Sequence, residues 1–345
     1  MKKAILFVAG ATLALASCSK EDTSDVNVGR GIDFRASFTG TRAVETTTAN
    51  LKSFYVTAFG ATQFSDVEFK QNGSFFTSAV DYYWPSDNSS VSFFAYAPSK
   101  TALGGSWSIR SNSKQISNFK PKANIDQQLD FIVASATGSM ADQATGVDLE
   151  FSHILSQIGI RAKNSGDLLY KVNGVKIGSV VGTGSYNAQT SRWTPSTTAS
   201  AKAEYAVSLI NGAEIDLTDT AVSLMGDGGN AMLIPQTLTA WDPKNEPAND
   251  SKGAYLAVSV NISNDNGDVL YPRDGGNNDF AWVAVPIDTE WQAGHKYIYT
   301  IDFSAGAGYV DPDDPDEPGV KVLGDPIKFT VTVDTWTDAG QAITM

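Results

Sequence analysis

Apolar residues recur at every second position along most of this chain, and few folds accommodate that period. In KYIYTIDF, Tyr297, Tyr299, Ile301 and Phe303 fall on one face, and Lys296, Ile298, Thr300 and Asp302 on the other. Successive side chains of a strand point to opposite sides, so the pattern predicts a half-buried strand. KFTVTVDTW sets Phe329, Val331 and Val333 against Lys328, Thr330, Thr332 and Asp334. YLAVSVNIS does the same with Leu256, Val258, Val260 and Ile262, and GVDLEFSHI with Val147, Leu149, Phe151 and His153. SVSFFAYAP and DFAWVAVPI are apolar on both faces, as suits strands covered on both sides. Gly, Asn, Asp, Ser and Pro separate the runs, and Asn266-Gly267 is a hairpin-turn dipeptide. The best helical candidate is a short turn around Ile125 to Leu129. The chain is therefore expected to be all-β and built from β-sandwich domains.

The length of 345 residues suffices for two such domains. The polar break TGSMADQATG, residues 137–146, places the boundary near 145. That gives an N-terminal sandwich over 31–145 and a C-terminal one over 146–345. DPKNEPANDSKG, residues 242–253, reads as a long loop inside the second, and GTGSYN, residues 182–187, as a turn. A formal charge of −13 argues against a nucleic-acid partner, which requires a basic footprint, and against a polybasic membrane face.

The first thirty residues are of another kind. Lys2-Lys3, an apolar run from Ala4 to Ala16 and the small residues before Cys18 make a secretory signal, residues 1–17. Leu15-Ala16-Ser17-Cys18 resembles a bacterial lipobox, in which the cysteine becomes the first mature residue and its thiol carries a diacylglyceryl group. Stable anchoring takes more than one acyl chain, such as palmitate, and a lipidated N-terminal cysteine supplies several. Cys18 is the single cysteine of the chain, so an intrachain disulfide and a thiolate metal site are both excluded. Residues 18–30 then form a lipidated flexible tether. Ser19-Lys20-Glu21-Asp22 resembles the export tag that sends some lipoproteins to the outer face of the outer membrane.

Catalytic signals are sparse. The two histidines, His153 and His295, lie on strand runs and read as core or strand-end residues. A Gly-x-Ser-x-Gly elbow, a phosphate loop and a dinucleotide fingerprint are all missing from the sequence. No cofactor or metal is called for. DPDDPDEPG, residues 311–319, concentrates five acids among three prolines. Its oxygen ligands could hold Ca²⁺, but the prolines and the spacing favour a stiff solvated loop. Trp84, Trp107, Trp193 and Trp241 could stack on sugar, or fill sandwich cores.

Three stretches, in order, resemble the fimbrillin family, the type V pilus subunits of Gram-negative anaerobes. They are YYWPSDNSSVSFFAYAP; LDFIVASATG followed by VDLEFSHILSQIGIRAKN; and WQAGHKYIYTIDF leading to PIKFTVTVDTW with Trp336. The resemblance runs from about residue 31 to 338 and is weakest over 165–250. It implies an exported lipoprotein with two transthyretin-like β-sandwich domains in tandem. It implies assembly by donor-strand exchange: an Arg-specific, trypsin-like protease removes an N-terminal segment, and a strand of another pilus subunit fills the groove. Arg42, followed by Ala43, lies between two strand runs and is the favoured processing site, with Arg30 and Arg35 as alternatives. The expected partners are other pilus subunits by strand addition, the outer membrane through the Cys18 lipid, the protease, and a host or bacterial surface ligand. The expected location is the cell surface, first as an outer-membrane lipoprotein and then in the fimbrium. The expected function is that of a structural fimbrial subunit or tip adhesin, not an enzyme. The alternative is a monomeric glycan-binding surface lipoprotein.

Overall fold

A computed structural model of the chain describes residues 31–38, 46–208, 214–226, 229–244, 253–325 and 327–335. It is nearly all β. Among the described residues, nine strands precede residue 155: β1 (Phe34–Phe38), β2 (Ser53–Phe59), β3 (Phe64–Asn72), β4 (Phe75–Ser78), β5 (Val91–Ala97), β6 (Ser106–Arg110), β7 (Ser113–Phe119), β8 (Ile132–Gly138) and β9 (Val147–His153). The following stretch carries β10 (Ser156–Lys163), β11 (Leu169–Val181), β12 (Gly184–Asn187), β13 (Arg192–Pro195), β14 (Lys202–Ser208), β15 (Ile215–Asp216), β16 (Val222–Ser223), β17 (Ala231–Leu233) and β18 (Gln236–Thr237). The chain continues with β19 (Tyr255–Ser263), β20 (Val269–Tyr271), β21 (Ala281–Pro286), β22 (Glu290–Trp291), β23 (His295–Asp302), β24 (Tyr309–Val310) and β25 (Lys328–Thr335).

Seven of the first nine strands close into a barrel in the order β1-β4-β3-β2-β5-β8-β9. Its interior is aromatic. Phe34 meets Phe54, Phe69 and Phe93 edge-on, with ring centroids 6.1, 4.8 and 5.0 Å away. Edge-to-face contacts place the positive ring edge on the negative ring face and add to area burial. Burying each of these rings contributes about 1.5–3 kcal/mol. The second half packs two sheets face to face, β16-β10-β23-β25 against β14-β11-β19-β21-β24. Between them lie Ile158, Ile160, Val172, Val175, Leu256, Val258, Tyr299 and Ile301.

The alternation read from the sequence is what the core uses. Tyr297, Tyr299, Ile301 and Phe303 are buried, and their polar neighbours are not. The Asn266-Gly267 turn joins β19 to β20, and Gly267 takes φ 86°, which a side chain would disfavour. Ile125–Gln127 forms one 3₁₀ turn. GTGSYN behaves differently from the expected turn: its last four residues are strand β12. The physical reason is Tyr186, which is buried in register with Ile116 of β7 and Trp193 of β13.

Sheet pairing also crosses residue 145. The polar stretch 137–146 ends β8 with its first two residues and then forms a capped 3₁₀ turn, Met140–Gln143, before β9, which completes the barrel. The hairpin β6–β7 leaves the barrel altogether. It pairs with β12 and β13 in a four-stranded sheet. A third core of Phe94, Tyr96, Phe119, Phe131, Leu155 and Ile234 lies beneath that junction.

Two outcomes follow for stability. Phe34→Ala removes a ring touched on three sides and is expected to destabilise the precursor by about 3–5 kcal/mol in denaturant titration. In the second half, burial pushes the phenols of Tyr170, Tyr271 and Tyr299 up to about 12 from 10.0. A raised folded value means that the folded state holds these protons more tightly. This contribution is fully present below pH 10 and is lost as the pH rises towards 12. Alkaline titration followed by circular dichroism and tyrosinate absorbance is expected to show unfolding together with ionisation in that window. Ionisation of all twelve tyrosines near pH 10 with the circular dichroism unchanged would contradict it.

Candidate functional site: the strand that closes the barrel

The barrel closes through its first strand. β1 lies parallel to β9 over five positions, from Phe34↔Val147 to Phe38↔Phe151, and meets β4 at Phe34↔Phe76. Two flanking bonds extend the ladder: the Ile32 amide donates to the Tyr82 carbonyl at 2.7 Å, and the Val147 amide to the Asp33 carbonyl at 2.9 Å. Period two then decides which side chains enter. Ile32 and Phe34 are buried, and Ala36 and Phe38 pack against the same core. On the other face, the Arg35 guanidinium lies 5.0 Å over the Phe75 ring.

The far end of β1 rests on a buried pair. Phe38 stacks on Phe151 and on the imidazole of His153, each at 5.7 Å. His153 Nδ1 is 3.0 Å from Asp130 Oδ1 and 2.9 Å from Oδ2, with both side chains almost wholly buried. Asp130 Oδ2 also accepts the Thr46 amide at 3.0 Å. The chain is thus held at Phe38, where β1 ends, and at Thr46, eight residues on. An open pocket of about 530 Å³ adjoins this corner, lined among others by Thr46, Tyr55, Pro98, Gln128 and Asp130.

Cys18, Arg30, Arg42, Ala43 and Trp336 lie outside the described residues. Arg35 is described, and it sits mid-strand in register with Asp148, where a protease would first have to pull β1 from the sheet. His295 opens β23, with its Nδ1 2.9 Å from the Ala293 carbonyl oxygen. Trp84 packs edge-on against Phe93 in the barrel, and Trp241 is buried beside Tyr255. Trp107 and Trp193 are half-buried against Phe131 and Phe119.

The acidic stretch 311–319 is exposed or half-exposed from Asp313 onward, as a solvated loop would be, and departs from that reading only at its start. Asp311 is buried, 2.7 Å from Lys176 Nζ, because a desolvated ammonium on β11 draws it onto the sheet. Among the described residues, no three His, Cys, Asp or Glu side chains are grouped so as to hold a metal ion. Sequence reasoning missed both partners of these buried charges. A lysine inside the apolar run LYKVNGVKIGSVV was the available signal for Lys176. Asp130 carried none, since its partner lies 23 residues away.

A fimbrial protein from Bacteroides vulgatus aligns with a TM-score of 0.57 at 17% identity, covering 89% of this chain and 100% of that one. A candidate cell adhesion protein from Bacteroides ovatus aligns with a TM-score of 0.50 at 16% identity, covering 89% of this chain and 97% of that one. The tip fimbrial protein Mfa3 from Porphyromonas gingivalis, with a C-terminal truncation, covers 88% of this chain and 98% of that one at 10% identity, with a TM-score of 0.39. A search of curated proteins finds no match. A fimbrillin-like family model matches residues 41–336, most of the length, and the chain belongs to that family.

Proposed function

We propose that the chain is a cell-surface fimbrial subunit or adhesin, not an enzyme, made as a Cys18-lipidated precursor and assembled by exchange of its first strand. Two β units in tandem carry this out: the barrel, which ends at His153, and the sandwich that follows. Cleavage after Arg42 releases the lipid, the tether and β1 together. A strand from another subunit then takes the vacated place.

The observation that carries this reading is the position of β1. It is the first described strand, it closes the barrel, and Arg42 follows it at once in the sequence. Removing it would leave β9 and β4 as edges and would uncover Phe54, Phe69, Phe93 and Phe151. An edge of unpaired amides and carbonyls over an apolar groove is a template for a new strand. The incoming strand is required to place apolar side chains where Ile32, Phe34, Ala36 and Phe38 lie, because a shift of one residue would reverse its faces. Family membership and the fimbrial neighbour support the surface location. The four tryptophans considered for sugar stacking are packed against other rings, which favours assembly over the monomeric glycan-binding alternative.

The test uses the full-length precursor treated with trypsin. The expected products are a new N-terminus at Ala43 and oligomers that survive SDS. Arg42→Gln is expected to abolish both while leaving the fold intact by circular dichroism. A wild-type protein whose only N-terminus remains acylated Cys18, with no oligomers after trypsin, would overturn the strand-exchange reading.

A further inference from the structure

Lys176 occupies an unusual place for a cation. It sits mid-strand in β11, with its side chain only 7% exposed. The residues two positions away on the same face are Gly174 and Gly178. A Cβ at Gly178 would collide with the Tyr255 ring, and one at Gly174 would lie 3.2 Å from the Trp282 ring. These glycines therefore admit two aromatic rings to either side of the lysine. Nζ lies 5.7 Å from the Tyr255 ring and 5.1 Å from that of Trp282. Strand register sets Ala257 and Ala284, both fully buried, in a row leading from Lys176 to Tyr309. Asp311 follows two residues after Tyr309, and its carboxyl is 5% exposed.

Three carboxyl groups face Nζ: Asp311 Oδ2 at 2.7 Å, Glu204 Oε2 at 3.2 Å and Asp313 Oδ2 at 3.4 Å. They differ in setting. Glu204 and Asp313 are about half exposed, and the Tyr255 hydroxyl donates to Asp313 at 2.7 Å and to Glu204 at 3.4 Å. Asp311 alone is buried with the lysine. Its Oδ1 accepts the Asp313 backbone amide at 2.8 Å, which leaves Oδ2 towards Nζ.

We propose that Lys176 and Asp311 condense into an intramolecular amide that cross-links β11 to the segment after β24. Nζ gives one proton to Asp311 Oδ2 and attacks the side-chain carbonyl carbon, forming the C–N bond. The charge developing on Oδ1 falls on the Asp313 amide, a preorganised donor at the place where it is needed. Glu204 takes a second proton from nitrogen and delivers it to the Oδ2 hydroxyl, which leaves as water when the C–O bond breaks. The third proton stays on the amide nitrogen. An ammonium and a carboxylate thus become one amide and one water, and no oxidant or co-reactant is required. In solution this condensation is unfavourable. Here the two groups are held in contact, and effective molarities of well-oriented pairs reach about 10⁵–10⁸ M. The Tyr255 and Trp282 rings shield the site from the water that would reverse the step. The cross-link would join, through side chains, β11 to the segment that follows β24, a strand that β19 and β21 separate from β11 in the sheet. The proposal does not depend on strand exchange.

Proteolytic digestion of the denatured full-length protein with mass spectrometry tests it. The expected result is a branched peptide joining the segments around Lys176 and Asp311, one water lighter than their sum. Lys176→Arg keeps the charge and cannot condense in this way, and it is expected to yield separate linear peptides and a lower thermal midpoint. Glu204→Gln is expected to slow cross-linking, so that linear peptides accumulate. Wild-type protein that gives Lys176 and Asp311 only in separate linear peptides, at the full sequence mass, would overturn the proposal.

Discussion

A seven-stranded sheet becomes a closed barrel here because one short strand near the beginning of the chain lies between two others. The closure depends on β1 pairing in parallel with β9 and on Phe34 filling the centre of a phenylalanine cluster. The two effects reinforce each other. The ladder fixes which residues face inward, and the inward rings reward that one register. β1 contributes only five strand residues, but Phe34 at its start touches three other rings of the barrel core. Such an element is costly to remove, because its loss exposes both the ladder edge and the ring cluster.

The second half solves a different problem. Its two sheets bury aliphatic and tyrosine side chains between them, and the outer face of one sheet is covered as well. That outer cover is polar at its centre: Lys176 draws Asp311 onto the sheet, and with it the proline-rich acidic segment. Burial pulls the ammonium of Lys176 down, but the carboxylates of Asp311, Glu204 and Asp313 outweigh it, so the charged form is favoured on balance. Before any amide forms, this ion pair holds the segment in one place, because a buried cation left without its partner is heavily penalised. The hairpin β6–β7 ties the two halves together by leaving one sheet for another.

Much of this architecture was legible in the residues. Alternation along Tyr297 to Phe303 and along Val147 to His153 identified strands and their buried faces, because burial on one side imposes period two directly. Asn266-Gly267 announced a hairpin for an equally local reason. The phenylalanines of β1 were visible as a strand run, and Arg42 stood out as a basic residue in the gap that followed. Less was legible where contacts join distant residues. Nothing near Asp130 marks it as the partner of His153, nor does anything near Asp311 single it out from the four other acids of its stretch. Tyr186 made a strand of a glycine-containing segment that reads locally as a turn, because tertiary burial outweighed the local preference.

By itself, the sequence determined the β class, the inward faces of most strands and the absence of an intrachain disulfide, since these follow from periodicity and composition. The tertiary structure alone decided that the first sheet closes on itself, that its closing strand runs parallel to β9, and that a hairpin crosses to the second half. It also decided which of many acids meets the buried lysine. The physical reason is the same in each case. A strand's faces are set by its own side chains, whereas its neighbours are chosen by the whole chain's competition for paired edges and buried surface.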